Sequence, residues 1–127
     1  MALCVYTAQI DRQWRETATA LDTTMRSTDP LGRVFAPDDP RMVFRLKRGQ
    51  LSPAAYRTWY LSVLRRSYRE RRDQWDTVLA RPVVVLLCYC RPTQFCHRQV
   101  LAETLTTLGA VYRGEILADG RIVMSHG

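Results

Sequence analysis

The sequence predicts a single α/β domain, with a mainly parallel sheet flanked by helices, and three observations carry that expectation. The run Val83-Val84-Val85-Leu86-Leu87-Cys88 is apolar without polar alternation, as a strand covered on both faces of a parallel sheet should be. A helical stretch over residues 95–108 and a strand-like stretch over 110–117 follow it. Together they make one βαβ unit, whose crossover should be right-handed. Upstream, Ser52 is a good N-cap and Pro53 suits the first helical position. From there Tyr56, Trp59, Tyr60, Val63, Leu64 and Tyr68 recur at helical spacing and form one apolar face.

The remaining elements fall around these. Residues 5–10 read as a first strand, 14–20 as a helical turn, and 21–25 as a short alternating strand. Residues 27–40 form a long loop rich in turn formers: Asp29-Pro30, Gly32, Pro37, Asp38, Asp39 and Pro40. A short helix is expected over 42–47. Arg57, Arg65, Arg66, Arg69 and Arg72 largely occupy the other faces of the long helix, which Trp75, Val78 and Leu79 extend or continue. Pro82 ends that element, Gly109 caps the later helix, and Asp119-Gly120 is a hairpin signal before residues 121–124. Neither repeats nor a second domain are visible.

At 127 residues, the chain is the size of one domain and can bury roughly two-thirds of its unfolded surface without disulfides or a structural metal. The hydrophobic share of 46% and charged share of 24% are ordinary for a globular protein. The net charge is +7, and all the cations but Lys47 are arginines. That balance favours anionic partners, although a solvated basic helix face would produce it as well. No signal peptide or membrane-length apolar run is present. A cytoplasmic setting is therefore expected, in which Cys4, Cys88, Cys90 and Cys96 stay reduced.

Three of these cysteines lie within nine residues, between Cys88 and Cys96. In an open α/β sheet, ligands bind beyond the carboxyl ends of the strands. Cys88, Tyr89 and Cys90 fall at that end of the most buried strand, and Cys96, His97 and Arg98 in the first turn of the following helix. That turn offers unpaired N–H groups and positive potential to an anion, with Arg98 and Arg91 adding charge. Cys96 is a candidate nucleophile and His97 a candidate acid or base. Adjacent helical residues, however, point about 100° apart, so a base from elsewhere, such as Asp11 or Asp22, is a second option. Cys88, Cys90, Cys96 and His97 also number four soft ligands, but their Cys-x-Cys-x5-Cys-His spacing is not the usual zinc pattern. The expectation is no bound metal and no cofactor. A third reading makes Cys88 core and the other two cysteines loop fillers.

The run Leu87-Cys88-Tyr89-Cys90 to Phe95-Cys96-His97-Arg98, with Leu101-Ala102 behind it, resembles the domain-of-unknown-function family 488, and within it a small, often phage-encoded branch. Tyr6-Thr7 and Gln9-Ile10 match that branch's first strand, and Leu21-Asp22-Thr24 with Ser27 its second. Tyr56, Tyr60, Ser67-Tyr68 and Trp75 match its long helix. Many members of the broader family carry an acidic residue two after the first cysteine, where this chain has Cys90. The resemblance implies a Rossmann-like fold and no settled activity, and it permits a phage protein that captures a nucleotide signal of host defence.

The expected function is binding of a phosphorylated nucleotide-like molecule, with its processing as a further option. Cys96 and His97 are the catalytic candidates, and Thr7, Gln9, Asp22, Tyr89, Cys90, Arg91 and Arg98 the ligand-binding ones. Tyr6, Tyr60 or Tyr89 would stack on a base, although Tyr56, Trp59 and Tyr60 fit a core face equally. The alternatives are a nucleic-acid-associated protein using the arginine stripe and a cysteine enzyme acting on nucleotides or nucleic acid. No membrane partner is expected, and a homodimer is left open. The compartment is the host cytoplasm if the chain is phage-encoded.

Overall fold

A computed structural model describes residues 2–10, 19–91 and 94–124. Within them, five strands form one sheet: β1 (Cys4–Gln9), β2 (Ala20–Asp22), β3 (Val83–Cys88), β4 (Val111–Ile116) and β5 (Ile122–Val123), in the spatial order β2-β3-β1-β4-β5. The pairs β2–β3, β3–β1 and β1–β4 are parallel, and only β5 runs antiparallel, against β4. The mainly parallel α/β expectation therefore holds. The all-apolar β3 is an inner strand with β1 beside it, and five of its six residues are buried.

Among the described residues, four α-helices accompany the sheet: α1 (Pro40–Lys47), α2 (Pro53–Glu70), α3 (Arg72–Leu79) and α4 (His97–Thr107). The expected caps operate. Ser52 accepts the Ala55 N–H at the start of α2, and Asp39 accepts the Arg41 N–H at the start of α1. The chain breaks between α2 and α3 at Arg71, whose non-helical ψ of 37° makes them two helices and not one. Gly109, at φ +105°, follows α4 in the left-handed conformation that suits glycine.

The apolar alternation of the strands sorts into two clusters. The larger joins Leu3, Val5, Leu21, Val84 and Leu86 to side chains from all four helices. The smaller, on the opposite face, contains Ala8, Val85 and Leu87 with Tyr6, Ile10, Ala20 and Ile116. Tyr56 and Tyr60 are core residues, 1% and 0% exposed. Tyr60 O–H donates to the Phe35 carbonyl at 2.6 Å, which ties α2 to the 3-10 turn at Gly32–Phe35. No described helix is long and apolar enough to cross a membrane.

Three expectations change. The second strand covers only Ala20–Asp22, because the chain bends at Thr24 into a turn through Met25 and Arg26, closed by the Ser27 N–H on the Thr24 carbonyl at 3.1 Å, instead of continuing as a strand to residue 25. The long loop is partly ordered by the 3-10 turn, which buries Phe35 against Trp75 with ring centroids 4.7 Å apart. Helix α4 begins at His97, with Cys96 as its extended N-cap, so Cys96 is not in the first turn. The helical turn expected at residues 14–20 lies largely outside the described residues.

Candidate functional site

Parallel pairing brings the carboxyl ends of β1, β2 and β3 to one edge of the sheet, where a cavity of about 650 Å³ opens. Its wall comes from the segment after β2 (Thr24, Met25, Arg26), from α1 and the start of α2, and from the β3–α4 connection. Cys88, Cys90, Cys96 and His97 all line it, with Tyr89 and Phe95.

The contact that helical geometry argued against is formed. Cys96 Sγ lies 3.4 Å from His97 Nδ1. The 100° separation applies between two helical residues, whereas Cys96 is extended, at φ −153° and ψ 163°. The imidazole is held from its other side. Its Nε2 is 2.9 Å from the Thr23 carbonyl and 3.0 Å from Thr23 Oγ1. A carbonyl can only accept, so Nε2 carries the proton and Nδ1 turns its lone pair toward Cys96. Burial lowers the His97 pKa to about 4, which keeps the ring neutral near neutral pH.

The thiols form a cluster. Cys88 and Cys96 are buried, and burial pushes both thiols up. Cys90 is half-buried; hydrogen bonds from Cys88 and then Cys96 push its thiol down. The ligand atoms of Cys88, Cys96 and His97 all lie within 4.8 Å of one another.

Arg98 sits elsewhere than expected. Its side chain is fully buried, with Nε 3.1 Å from Glu115 Oε1 and Nη2 3.0 Å from Glu115 Oε2. Nη1 donates to the Cys90 carbonyl at 3.0 Å and to Cys88 Sγ, and Nη2 to the Arg91 carbonyl at 3.1 Å. Its donors are thus engaged in bracing the β3–α4 connection against β4, and Arg98 does not line the cavity. The cause is Glu115, a carboxylate buried on β4 that binds both arms of the guanidinium fork.

Other expected ligand contacts also fall outside the cavity lining. Thr7 Oγ1 is buried 2.7 Å from Tyr112 Oη. Gln9 donates to the Tyr89 carbonyl at 3.2 Å, and Asp22 accepts the Thr24 N–H at 3.0 Å. Arg91 is exposed and contributes its carbonyl to Arg98. Asp11 lies outside the described residues. Of the aromatic candidates, Tyr60 is core and Tyr6 packs in the smaller cluster, whereas Tyr89 is 49% exposed on the cavity wall.

Sequence reading missed the basic residues that do line the cavity. Arg26 and Lys47 are exposed there, and neither has an ion-pair partner among the described residues. No carboxylate is among the described lining residues. Thr24 was also missed. It is 6% exposed on the wall, and its Oγ1 is buried with no hydrogen-bond partner among the described residues. Two helix starts border the cavity as well, through Ser52 and Pro53 of α2 and through Cys96 and His97 of α4.

Fold and site define an α/β protein with a cysteine–histidine cluster on the wall of a cavity at the carboxyl edge of its sheet. The chain belongs to the DUF488-N3a family, described as the active DUF488-N3 subclade, which matches residues 8–109. No curated protein and no solved structure matches it.

Proposed function

We propose that the cavity binds a phosphorylated, nucleotide-like molecule and that the Cys–His cluster acts on it. The observation that carries this reading is the cavity's asymmetry: among the described residues, two cations without ion-pair partners and no carboxylate line it, and the thiols and imidazole share its wall. Arg26 and Lys47 would hold the phosphate, aided by the positive ends of α2 and α4. Tyr89 and Phe44, 49% and 56% exposed, offer aromatic faces to a base. The unpartnered Thr24 hydroxyl offers a polar contact of the kind that fixes a ligand's orientation. A volume of about 650 Å³ suits a ligand of this size. The family's description as an active subclade supports catalysis in addition to capture.

We read the fold as Rossmann-like and the setting as the cytoplasm, where the four free thiols stay reduced. If the chain is phage-encoded, capture of a nucleotide signal is the role this site would serve.

A nucleic-acid reading has one observation in its favour, a groove of about 580 Å³ lined by Arg57, Arg65 and Arg69. It ranks second because several arginines of the stripe are already engaged. Arg57 pairs with Glu103, Arg66 with Asp38 and Arg72 with Asp76.

Native mass spectrometry of the protein from its natural host tests the proposal. A retained mass that fragments to a phosphorylated nucleoside supports it. Co-purification with nucleic acid, together with an empty cavity, favours the groove.

A further inference from the structure

We propose that Cys88 Sγ, Cys96 Sγ and His97 Nδ1 hold a zinc ion on the wall of the cavity, with the fourth coordination position open toward its interior. Chain spacing argued against a metal because Cys-x-Cys-x5-Cys-His is not a usual zinc pattern. Spacing is a proxy for geometry, however, and here the ligands come from two elements, the end of β3 and the cap of α4. The fold closes the distance that the sequence leaves open.

Three features support the site. The first is separation. With Zn–S near 2.3 Å and Zn–N near 2.0–2.1 Å at the tetrahedral angle, a sulfur and a nitrogen on one zinc stand about 3.6 Å apart, and two sulfurs about 3.8 Å. Cys96 Sγ and His97 Nδ1 are 3.4 Å apart, and all three ligand atoms fall within 4.8 Å of one another. Shifts of a few tenths of an ångström suffice.

The second is orientation. A metal-binding histidine usually donates its other ring N–H to a carbonyl or carboxylate, which fixes the tautomer. His97 Nε2 meets the Thr23 carbonyl at 2.9 Å, and Thr23 Oγ1 is itself anchored to the Leu87 carbonyl at 2.7 Å. The lone pair of Nδ1 is thereby aimed at the sulfurs.

The third is the ligand set. Two thiolates and one neutral imidazole leave a fourth position for water or substrate, the arrangement of catalytic zinc sites rather than closed structural ones. On binding, Cys88 and Cys96 each release a proton to solvent, so the Zn²⁺ charge is balanced by two thiolates. Arg98, which donates to Cys88 Sγ, continues to do so with the sulfur ligated, and Glu115 neutralises the guanidinium.

The inference concerns the same cavity as the nucleotide reading, but it is tested without any nucleotide. Metal content is measured on the purified chain, and the metal-stripped protein is titrated with Co²⁺ alone. The expected result is about one zinc per chain. Co²⁺ should give the intense visible bands of a tetrahedral site, with thiolate-to-cobalt charge transfer in the near ultraviolet. Cys88→Ser, Cys96→Ser and His97→Gln should each weaken Co²⁺ binding by at least tenfold, whereas Cys4→Ser should leave it unchanged. If the ligand variants fail to fold, the wild type alone decides. Zinc should shield Cys88 and Cys96 from a thiol reagent until a chelator is added. A folded wild type with no zinc and no Co²⁺ spectrum overturns the inference, as does a metal that survives all three substitutions. A zinc-loaded protein that binds no nucleotide would instead keep the metal site and reject the nucleotide reading.

Discussion

Glu115→Ala removes the carboxylate that neutralises Arg98, and the consequence follows from the burial of both partners. Each side chain is 0% exposed, and the fork makes two contacts, at 3.1 and 3.0 Å. Breaking a buried pair by removing one member costs about 3–5 kcal/mol, because the other charge remains in a medium that cannot solvate it. A domain is typically stable by about 5–15 kcal/mol, so a large share of the margin would go. At about 4 °C per kcal/mol for a domain of this size, the expected fall in Tm is roughly 12–20 °C. Thermal unfolding followed by tryptophan fluorescence measures the fall in Tm, and urea unfolding the loss of free energy, since Trp75 is buried in the core. Arg98→Lys should lose nearly as much, because one ammonium cannot replace a fork that reaches Glu115 and two carbonyls. The Arg98→Met/Glu115→Leu pair should recover part of the loss, since no buried charge is left unpaired. A Glu115→Ala protein destabilised by less than about 1 kcal/mol would refute the reasoning. It would return Arg98 to the role of a ligand-binding cation.

Three further outcomes are expected. Gly32→Ala would place a Cβ 2.2 Å from the Asp22 carbonyl oxygen, backbone that cannot swing aside, and should cost about 1–3 kcal/mol; an unchanged Tm would contradict this. Tyr60→Phe strands the buried Phe35 carbonyl and should cost about 1–3 kcal/mol in urea unfolding, with a wild-type midpoint as the contrary result. Thr24→Val removes a hydroxyl that has no partner in the described structure, so stability should hold or rise while nucleotide affinity falls roughly fivefold, about 1 kcal/mol. Lost stability with unchanged affinity would show that the hydroxyl serves the fold instead.

The fold was legible where one local signal decided each element. The short apolar run of β3, rich in β-branched Val and bounded by Pro82, suited an inner strand of a sheet, and Ser52-Pro53 marked the start of α2. The site was half legible. The Cys88–Arg98 segment could be placed at the edge of the sheet, because strand end and helix start are local features. What each side chain meets there is not local. Glu115 binds Arg98 across 17 residues, and Thr23 orients His97 across 74. Arg26 and Lys47 come together only when α1 folds over the cavity. The Cys96–His97 contact turned on one residue, since a helix starting at Cys96 would separate the pair and a helix starting at His97 joins it.

The most direct test of the cavity's proposed role is calorimetry of the wild type and the Arg26→Ala/Lys47→Ala variant against a panel of nucleotides and cyclic nucleotides. Hydrogen bonds to charged groups contribute about 1.5–3 kcal/mol each. If one of the two cations makes such a bond to the phosphate, at least one phosphorylated ligand should bind the wild type with one-to-one stoichiometry. The double variant should then bind it at least roughly tenfold more weakly, with its melting temperature in the absence of ligand unchanged. A wild type that binds none of them, or a double variant that binds as tightly as the wild type, would contradict the account.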